Sequence, residues 1–245
     1  MILPKPTIII FDMDGTTVRH INPRILHVLE KIDDAMFWFS ERFGAGRPSK
    51  QTQQNVKKKK PRLLVHRALH KMRRKQVEQI VEPCPGVRDV LKLIRAYDIP
   101  TAIVSNGLGK GYGHDILQKF DLEKFFKAQI FREDFVQSKP NPEPLLNAFK
   151  AMNIEPNEND VIWVIGDRKK DIKSALKLAE IISAKIIPIS YGIEAAIAVI
   201  KYHLPADYIL TTYHDLENKL TTSMGYEPST TDITATSDNT ISKVA

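Results

Sequence analysis

Two aspartates stand two residues apart in Asp12-Met13-Asp14-Gly15-Thr16, directly after the apolar run Thr7-Ile8-Ile9-Ile10-Phe11. A carboxylate at the end of a buried strand can serve as nucleophile, metal ligand or proton-transfer group, and its neighbours decide which. The same pentapeptide can also be a turn leading into a helix cap. Three more segments separate these readings, because each follows an apolar run of its own. Ser105-Asn106 follows 101–104, Lys139-Pro140 comes shortly after 128–131, and Gly166-Asp167-Arg168-Lys169-Lys170-Asp171 follows 161–165. Together they form a set suited to phosphoryl transfer. Asp12 would attack phosphorus and form an aspartyl-phosphate. Asp14 would protonate the leaving oxygen and then deprotonate the attacking water. Ser105, with backbone N–H groups at the strand ends, would hold phosphate oxygens, and Lys139 would neutralise charge so that two anions can approach. Asp167 with Asp12 would bind a hard cation, and Mg²⁺ suits such oxygen ligands. Catalysis of this kind is mostly positioning and charge stabilisation.

Positioning of that order needs a rigid scaffold, and the sequence specifies one. Apolar runs at 7–11, 101–105, 128–131, 161–166, 185–190 and 207–210 are rich in Ile and Val and do not alternate with polar residues. Strands covered on both faces read this way. Amphipathic helices lie between them, with stripes at Val87, Val90, Leu91, Ile94 and Tyr97, at Leu145, Leu146, Phe149 and Met152, and at Ile172, Ala175, Leu176 and Ala179. Asn141 and Pro142 mark the start of the second of these. The alternation predicts an α/β fold with a doubly wound, mostly parallel sheet, whose ligands bind at the carboxyl ends of the strands. About 90 residues separate the first two strands, far more than a crossover of a dozen or so needs. Helical stripes from Pro23 to Phe43 and from Leu64 to Met72 predict that residues 20–83 form an inserted helical domain. The core then comprises residues 1–19 and 84–222. Residues 223–245 are expected to be a disordered tail.

At these residues the chain resembles the haloacid dehalogenase superfamily of phosphohydrolases, over roughly residues 7–220. Its four motifs correspond to Asp12-Met13-Asp14-Gly15-Thr16, Ser105-Asn106, Lys139-Pro140-Asn141-Pro142 and Gly166-Asp167 through Asp171. The helical insertion is similar to the cap of the phosphoglycolate phosphatase-like branch. The resemblance implies a Mg²⁺-dependent phosphatase of a small phosphomonoester, such as a phosphoglycolate-like acid or a sugar phosphate. It implies Asp12 as nucleophile, the Asp14 side chain as acid/base with its carbonyl on the metal, and Asp171 orienting Lys139 or a metal-bound water. Metal ligation is thus assigned to Asp12, Asp14, Asp167 and Asp171, and phosphate or substrate binding to Ser105, Asn106 and Lys139. A phosphomutase using the same carboxylate pair is the alternative within the superfamily. The sequence departs from the family pattern at Thr17-Val18-Arg19-His20 and at Arg168, which follows Asp167.

The charge is local. The chain carries a formal net charge of +7, but Arg42 to Lys75 holds 13 Lys/Arg and no Asp or Glu, leaving −6 elsewhere. The basic segment 47–75 is expected to make weak contact with a polyanion, and an alternative reading of the chain makes it a surface that docks on RNA or an anionic membrane. The single cysteine, Cys84, excludes an intrachain disulfide framework and fits a reducing cytosol. No apolar run approaches the roughly 18 residues of a membrane span. With no leader-like start, a cytoplasmic location is expected. The glycine-spaced run Gly107 to Gly113 reads either as a flexible turn or as a phosphate cradle, and it makes Lys110 a candidate substrate contact. Arg19 and His20 stand at the hinge of the insertion, just beyond the first motif, and are candidates to reach the substrate. His66 with His70, and Trp38, read as a solvated helix face and as packing of the insertion.

Overall fold

The computed structural model describes residues 2–21 and 80–225. The helices expected at 23–43 and 64–72, the basic segment 47–75, His66, His70 and Trp38 lie outside the described residues. So does the tail beyond Gly225.

Strand β1 (Ile8–Asp12) is the centre of the molecule, and every one of its residues is buried. On its two sides run β4 (Thr101–Val104) and β6 (Val161–Gly166), both parallel to it. Outward from these lie β5 (Ala128–Ile130) on one flank, and β7 (Lys185–Tyr191) and β8 (Ile209–Leu210) on the other. The sheet order is β5-β4-β1-β6-β7-β8, and every neighbouring pair is parallel. The chain builds one flank outward from β1, then returns to lay β6 on the other side. That reversal opens a crevice at the carboxyl end of β1, where a doubly wound sheet takes its ligands.

The lack of alternation in β1 has a direct structural cause. Ile9 and Phe11 enter one core cluster, shared with α1 (Val87–Ala96), α2 (Lys110–Lys119) and α6 (Tyr213–Ser223). Ile8 and Ile10 enter another on the opposite face, shared with α3 (Glu143–Met152) and α4 (Lys169–Ala179). A period-2 strand covered on both sides needs an apolar residue at every position. Burial of each such side chain is worth about 1.5–3 kcal/mol, so a one-residue slip of β1 would gain nothing and would misplace Asp12. Helix α5 (Ile193–Lys201) packs on α4 through a third, smaller cluster of Ile172, Ala195, Ala198 and Val199.

The structure refines the sequence expectations at several places. The expected strand at 207–210 is shorter, because Ala206–Tyr208 forms a 3-10 turn and only Ile209–Leu210 pairs with β7. The run 107–113 is not an open glycine turn, since α2 begins at Lys110 and includes Gly111 and Gly113. A Cβ on Gly113 would lie 2.1 Å from the Phe131 ring, so this glycine serves close helix packing. Finally, β2 (Val18–His20) and β3 (Val81–Pro83) form a short antiparallel ribbon at the two ends of the segment 22–79. Ile21 N–H donates to the Ile80 carbonyl at 2.9 Å and continues the ribbon. The start of α3 lies one residue later than expected: Pro142 rather than Asn141 is the N-cap and Glu143 the first helical residue, while Asn141 Oδ1 accepts from the Glu143 N–H at 2.9 Å.

Candidate active site

β1 delivers Asp12 to the crevice, and the turn after it is tightly specified. Gly15 adopts φ +83°, and a Cβ there would lie 2.1 Å from Asp167 Oδ2. Only glycine meets both conditions. Its N–H donates to the Val18 carbonyl at 2.8 Å, and the Thr17 hydroxyl donates to the Asp12 carbonyl at 2.8 Å. From the far end of the chain, the Tyr213 hydroxyl donates to the Thr16 carbonyl at 2.7 Å. The turn therefore closes back on β1 and holds Asp12 still.

Lys139 reaches this point from the connection between β5 and α3. Its ammonium is 2% exposed and bridges Asp12 Oδ1 and Asp171 Oδ1, the latter at 2.7 Å. It also donates to the Val104 carbonyl at 3.3 Å. Asn106 fixes the lysine backbone from both sides: its Nδ2 donates to the Lys139 carbonyl and its Oδ1 accepts from the Lys139 N–H, each at 3.0 Å. Asp171 is set by the start of α4, where its Oδ2 accepts from the Arg168 N–H at 3.1 Å. Gly166 lets it come close, since a Cβ at that position would lie 2.4 Å from the Asp171 Cβ.

Asp14 occupies the next position in the turn. Its Oδ2 accepts from the Ser105 hydroxyl at 3.0 Å, and that hydroxyl accepts in turn from the Leu108 N–H at 3.0 Å. Its Oδ1 lies 3.6 Å from His20 Nε2. Burial works to raise the Asp14 carboxyl, but His20 and Ser105 outweigh it and hold it below the usual carboxylate range.

The charges of the cluster do not balance among these side chains. Oxygens of Asp12, Asp167 and Asp171 all lie within 4.8 Å of one another. Lys139 contacts Asp12 and Asp171, and these two carboxylates hold it well above its ordinary value against the effect of burial, while Arg168 Nε lies 3.8 Å from Asp167 Oδ2. Burial raises Asp12 to about 7; Lys139 opposes this, while the charges of Asp171 and Asp14 reinforce it. Asp167 rises to about 8 from burial and from the charges of Asp12 and Asp171, with Arg168 and Lys170 opposing. Its Oδ1 is buried with no hydrogen-bond partner among the described residues. Three clustered carboxylates, with an Asp167 oxygen that has no hydrogen-bond partner among the described residues, offer the hard oxygen donors that fit a divalent cation of the Mg²⁺ type.

Asp12, Asp14, Ser105, Asn106, Lys139, Asp167 and Asp171 thus converge on one point. Lys110 does not join them. Its ammonium is 54% exposed and pairs with Asp134 at 2.6 Å, while its N–H donates to Glu133 at 2.9 Å. Arg19 pairs with Glu82 at 2.8 Å across the β2–β3 ribbon. Three features had no sequence signal: the Tyr213 anchor on Thr16, the Asn106 clamp on the Lys139 backbone, and Tyr112. The Tyr112 hydroxyl is buried without a hydrogen-bond partner among the described residues. Burial and the charge of Asp14 push its phenol up to about 12. An unmatched buried hydroxyl costs about 1–3 kcal/mol. Tyr112→Phe is therefore expected to stabilise the free protein by about 1 kcal/mol, read as a higher urea midpoint at unchanged slope. A lower midpoint would show that the hydroxyl is partnered.

A parallel α/β sheet with an acidic cluster and a buried lysine at its strand ends defines a doubly wound α/β protein with a charged crevice at the end of β1. The particular family follows from comparison with known proteins. A model of haloacid dehalogenase-like hydrolases matches residues 9–183, and the chain belongs to that family. A phosphorylated carbohydrates phosphatase of Thermotoga maritima is 24% identical over 107 residues, 44% of this chain and 48% of that protein. A phosphoglycolate phosphatase of Escherichia coli is 31% identical over 91 residues, 37% of this chain and 34% of that protein. The chain thus spans half or less of the length of these curated relatives. A haloacid dehalogenase family hydrolase from Deinococcus radiodurans superposes with a TM-score of 0.58 at 18% identity, covering 93% of this chain and 100% of that one. That likeness is one of fold. No helix among the described residues is long and apolar enough to cross a membrane.

Proposed function

We propose that this protein is a Mg²⁺-dependent phosphatase that hydrolyses a small phosphomonoester through an aspartyl-phosphate on Asp12. One observation carries the reading: the buried Asp12 carboxylate, at the end of the central strand, sits in contact with the Lys139 ammonium and within a cluster of two more carboxylates. A carboxylate so placed has its charge screened from an incoming phosphate and is held by a rigid turn.

The chemistry divides into two displacements. First, an Asp12 oxygen bonds to phosphorus as the bond from phosphorus to the leaving oxygen breaks, and Asp14 gives that oxygen a proton. Then water attacks phosphorus, Asp14 takes the water's proton, and the Asp12–phosphorus bond breaks to release phosphate. Asp14 is ionised at rest, which suits the second step directly. The first step requires that it take a proton from solvent beforehand, and an arriving phosphate favours this because like charges raise a carboxyl. Lys139 offsets negative charge on both nucleophile and phosphate. Ser105 can turn its hydroxyl from Asp14 to a phosphate oxygen, and Asn106 keeps Lys139 in place. Asp12 and Asp167, with Asp171 beside them and the Asp14 carbonyl, would hold Mg²⁺. Bound there, the cation supplies positive charge to the phosphoryl oxygens.

We read residues 20–83 as an insertion into a discontinuous core of residues 1–19 and 84–222. The β2–β3 ribbon supports this, since it pairs the two ends of the segment. Phosphate release from a panel of small phosphomonoesters, with and without Mg²⁺, tests the function. Activity is expected to fall to background in EDTA and to return when Mg²⁺ is added in excess. Unchanged phosphate release in EDTA would remove the metal from the proposal. Conversion of a sugar phosphate without net phosphate release would instead make the protein a phosphomutase.

A further inference from the structure

Asp14 is flanked by two side chains, Ser105 and His20, and the second lies on the ribbon rather than in the sheet. His20 is the last residue of β2, paired with Val81 across the ribbon. The tight loop from Gly15 to Val18 folds β2 back along the end of β1, so a residue six positions on returns to Asp14. The His20 side chain is 8% exposed, and its Nε2 lies 3.6 Å from Asp14 Oδ1, while Ser105 holds Oδ2. The two carboxylate oxygens are therefore addressed from opposite elements, one from the ribbon and one from the end of β4. If Ser105 turns toward phosphate when substrate arrives, His20 still faces Asp14 from the ribbon.

From this geometry we infer that His20 is a positioning residue for Asp14, holding its carboxyl group in line with the leaving oxygen once Ser105 has turned to phosphate. The inference rests on the acid/base reading of Asp14. Its consequence is specific to the first displacement. Proton transfer to the leaving oxygen matters greatly for an alkyl phosphate, whose alkoxide is a poor leaving group. It matters little for 4-nitrophenyl phosphate, whose phenolate leaves without help. General acid catalysis contributes about 10²–10⁴-fold, and misorientation of the acid forfeits part of that.

The test is the dependence of kcat/KM on leaving-group acidity across a series of aryl and alkyl phosphates. His20→Ala is expected to lose about 10-fold or more on alkyl phosphates and little on 4-nitrophenyl phosphate, so the plot becomes steeper. His20→Gln, which returns an N–H donor at similar reach, is expected to restore much of the slope. Asp14→Asn provides the reference. If it steepens the plot and both His20 variants leave it unchanged, the positioning role is overturned and the acid/base reading stands. If Asp14→Asn itself does not steepen the plot, the acid/base reading fails first. A uniform loss across the whole series in His20→Ala, unrescued by His20→Gln, would reduce His20 to a packing residue. Circular dichroism of each variant separates these outcomes from unfolding.

Discussion

Asp12→Asn is expected to lower phosphate release by at least about 10⁴-fold, as loss of a covalent nucleophile does elsewhere, and to leave the fold intact. Both halves follow from the same geometry. The carboxylate is the atom group placed to meet phosphorus, and an amide of equal size cannot replace it as a nucleophile. For the fold, by contrast, the charge is a burden in the metal-free protein. Burial and neighbouring carboxylates raise Asp12 from 3.8 to about 7. The folded state then keeps a proton that the unfolded chain gives up, so the contribution to stability is full below pH 3.8 and is lost as pH rises through about 7. Asn carries no such penalty and can still accept a hydrogen bond from Lys139. In EDTA, thermal melts of the variant and the parent should therefore diverge in favour of the variant as pH rises across this range. A variant that keeps full turnover would remove Asp12 from the nucleophile role. A variant that unfolds would show that the carboxylate is needed for structure.

The scaffold was legible because its signal is dense. Five consecutive buried residues in β1, and similar runs in β6 and β7, leave no alternative to a sheet covered on both faces. The candidate site was legible for a related reason: the convergent residues stand just past strand ends, and a parallel sheet brings all those ends to one edge. What escaped the sequence is cross-chain contact. Tyr213 meets Thr16 across 197 positions, and Asn106 meets Lys139 across 33, distances over which no local pattern operates. The β2–β3 ribbon has only three residues per strand, too few for a periodicity to be seen. Gly107 to Gly113 misled in the opposite sense. Glycine weakens a helix by about 1 kcal/mol per residue, so the sequence argued for a turn. Close approach to Phe131 requires the missing side chain at Gly113, and tertiary packing prevailed over local preference. Lys110 followed its helix away from the cluster and toward Asp134.

Lys139 should prove as important to stability as to catalysis, which is unusual for a side chain at a candidate active site. Its ammonium is buried and touches Asp12 and Asp171, whose oxygens cluster with those of a third carboxylate, Asp167. Lys139→Met keeps nearly the same shape and removes only the charge. Breaking a buried ion pair in this way leaves the partner carboxylates uncompensated and costs about 3–5 kcal/mol. Chemical denaturation in EDTA is the measurement, and an unchanged midpoint would contradict the charge deficit argued from the carboxylate cluster. Adding Mg²⁺ sharpens the test, because the fold and the reaction use the lysine differently. A cation held by the three carboxylates stabilises the folded state by about 2.7 kcal/mol at a hundredfold excess over its Kd, so much of the lost stability should return. Turnover should not. The ion cannot stand where the ammonium meets Asp12, and loss of one preorganised charge at a developing anion costs about 10²–10³-fold. Stability restored by Mg²⁺ with activity still absent would separate the two roles of the lysine. Recovery of both would mean that Lys139 only balances charge and has no place in the reaction.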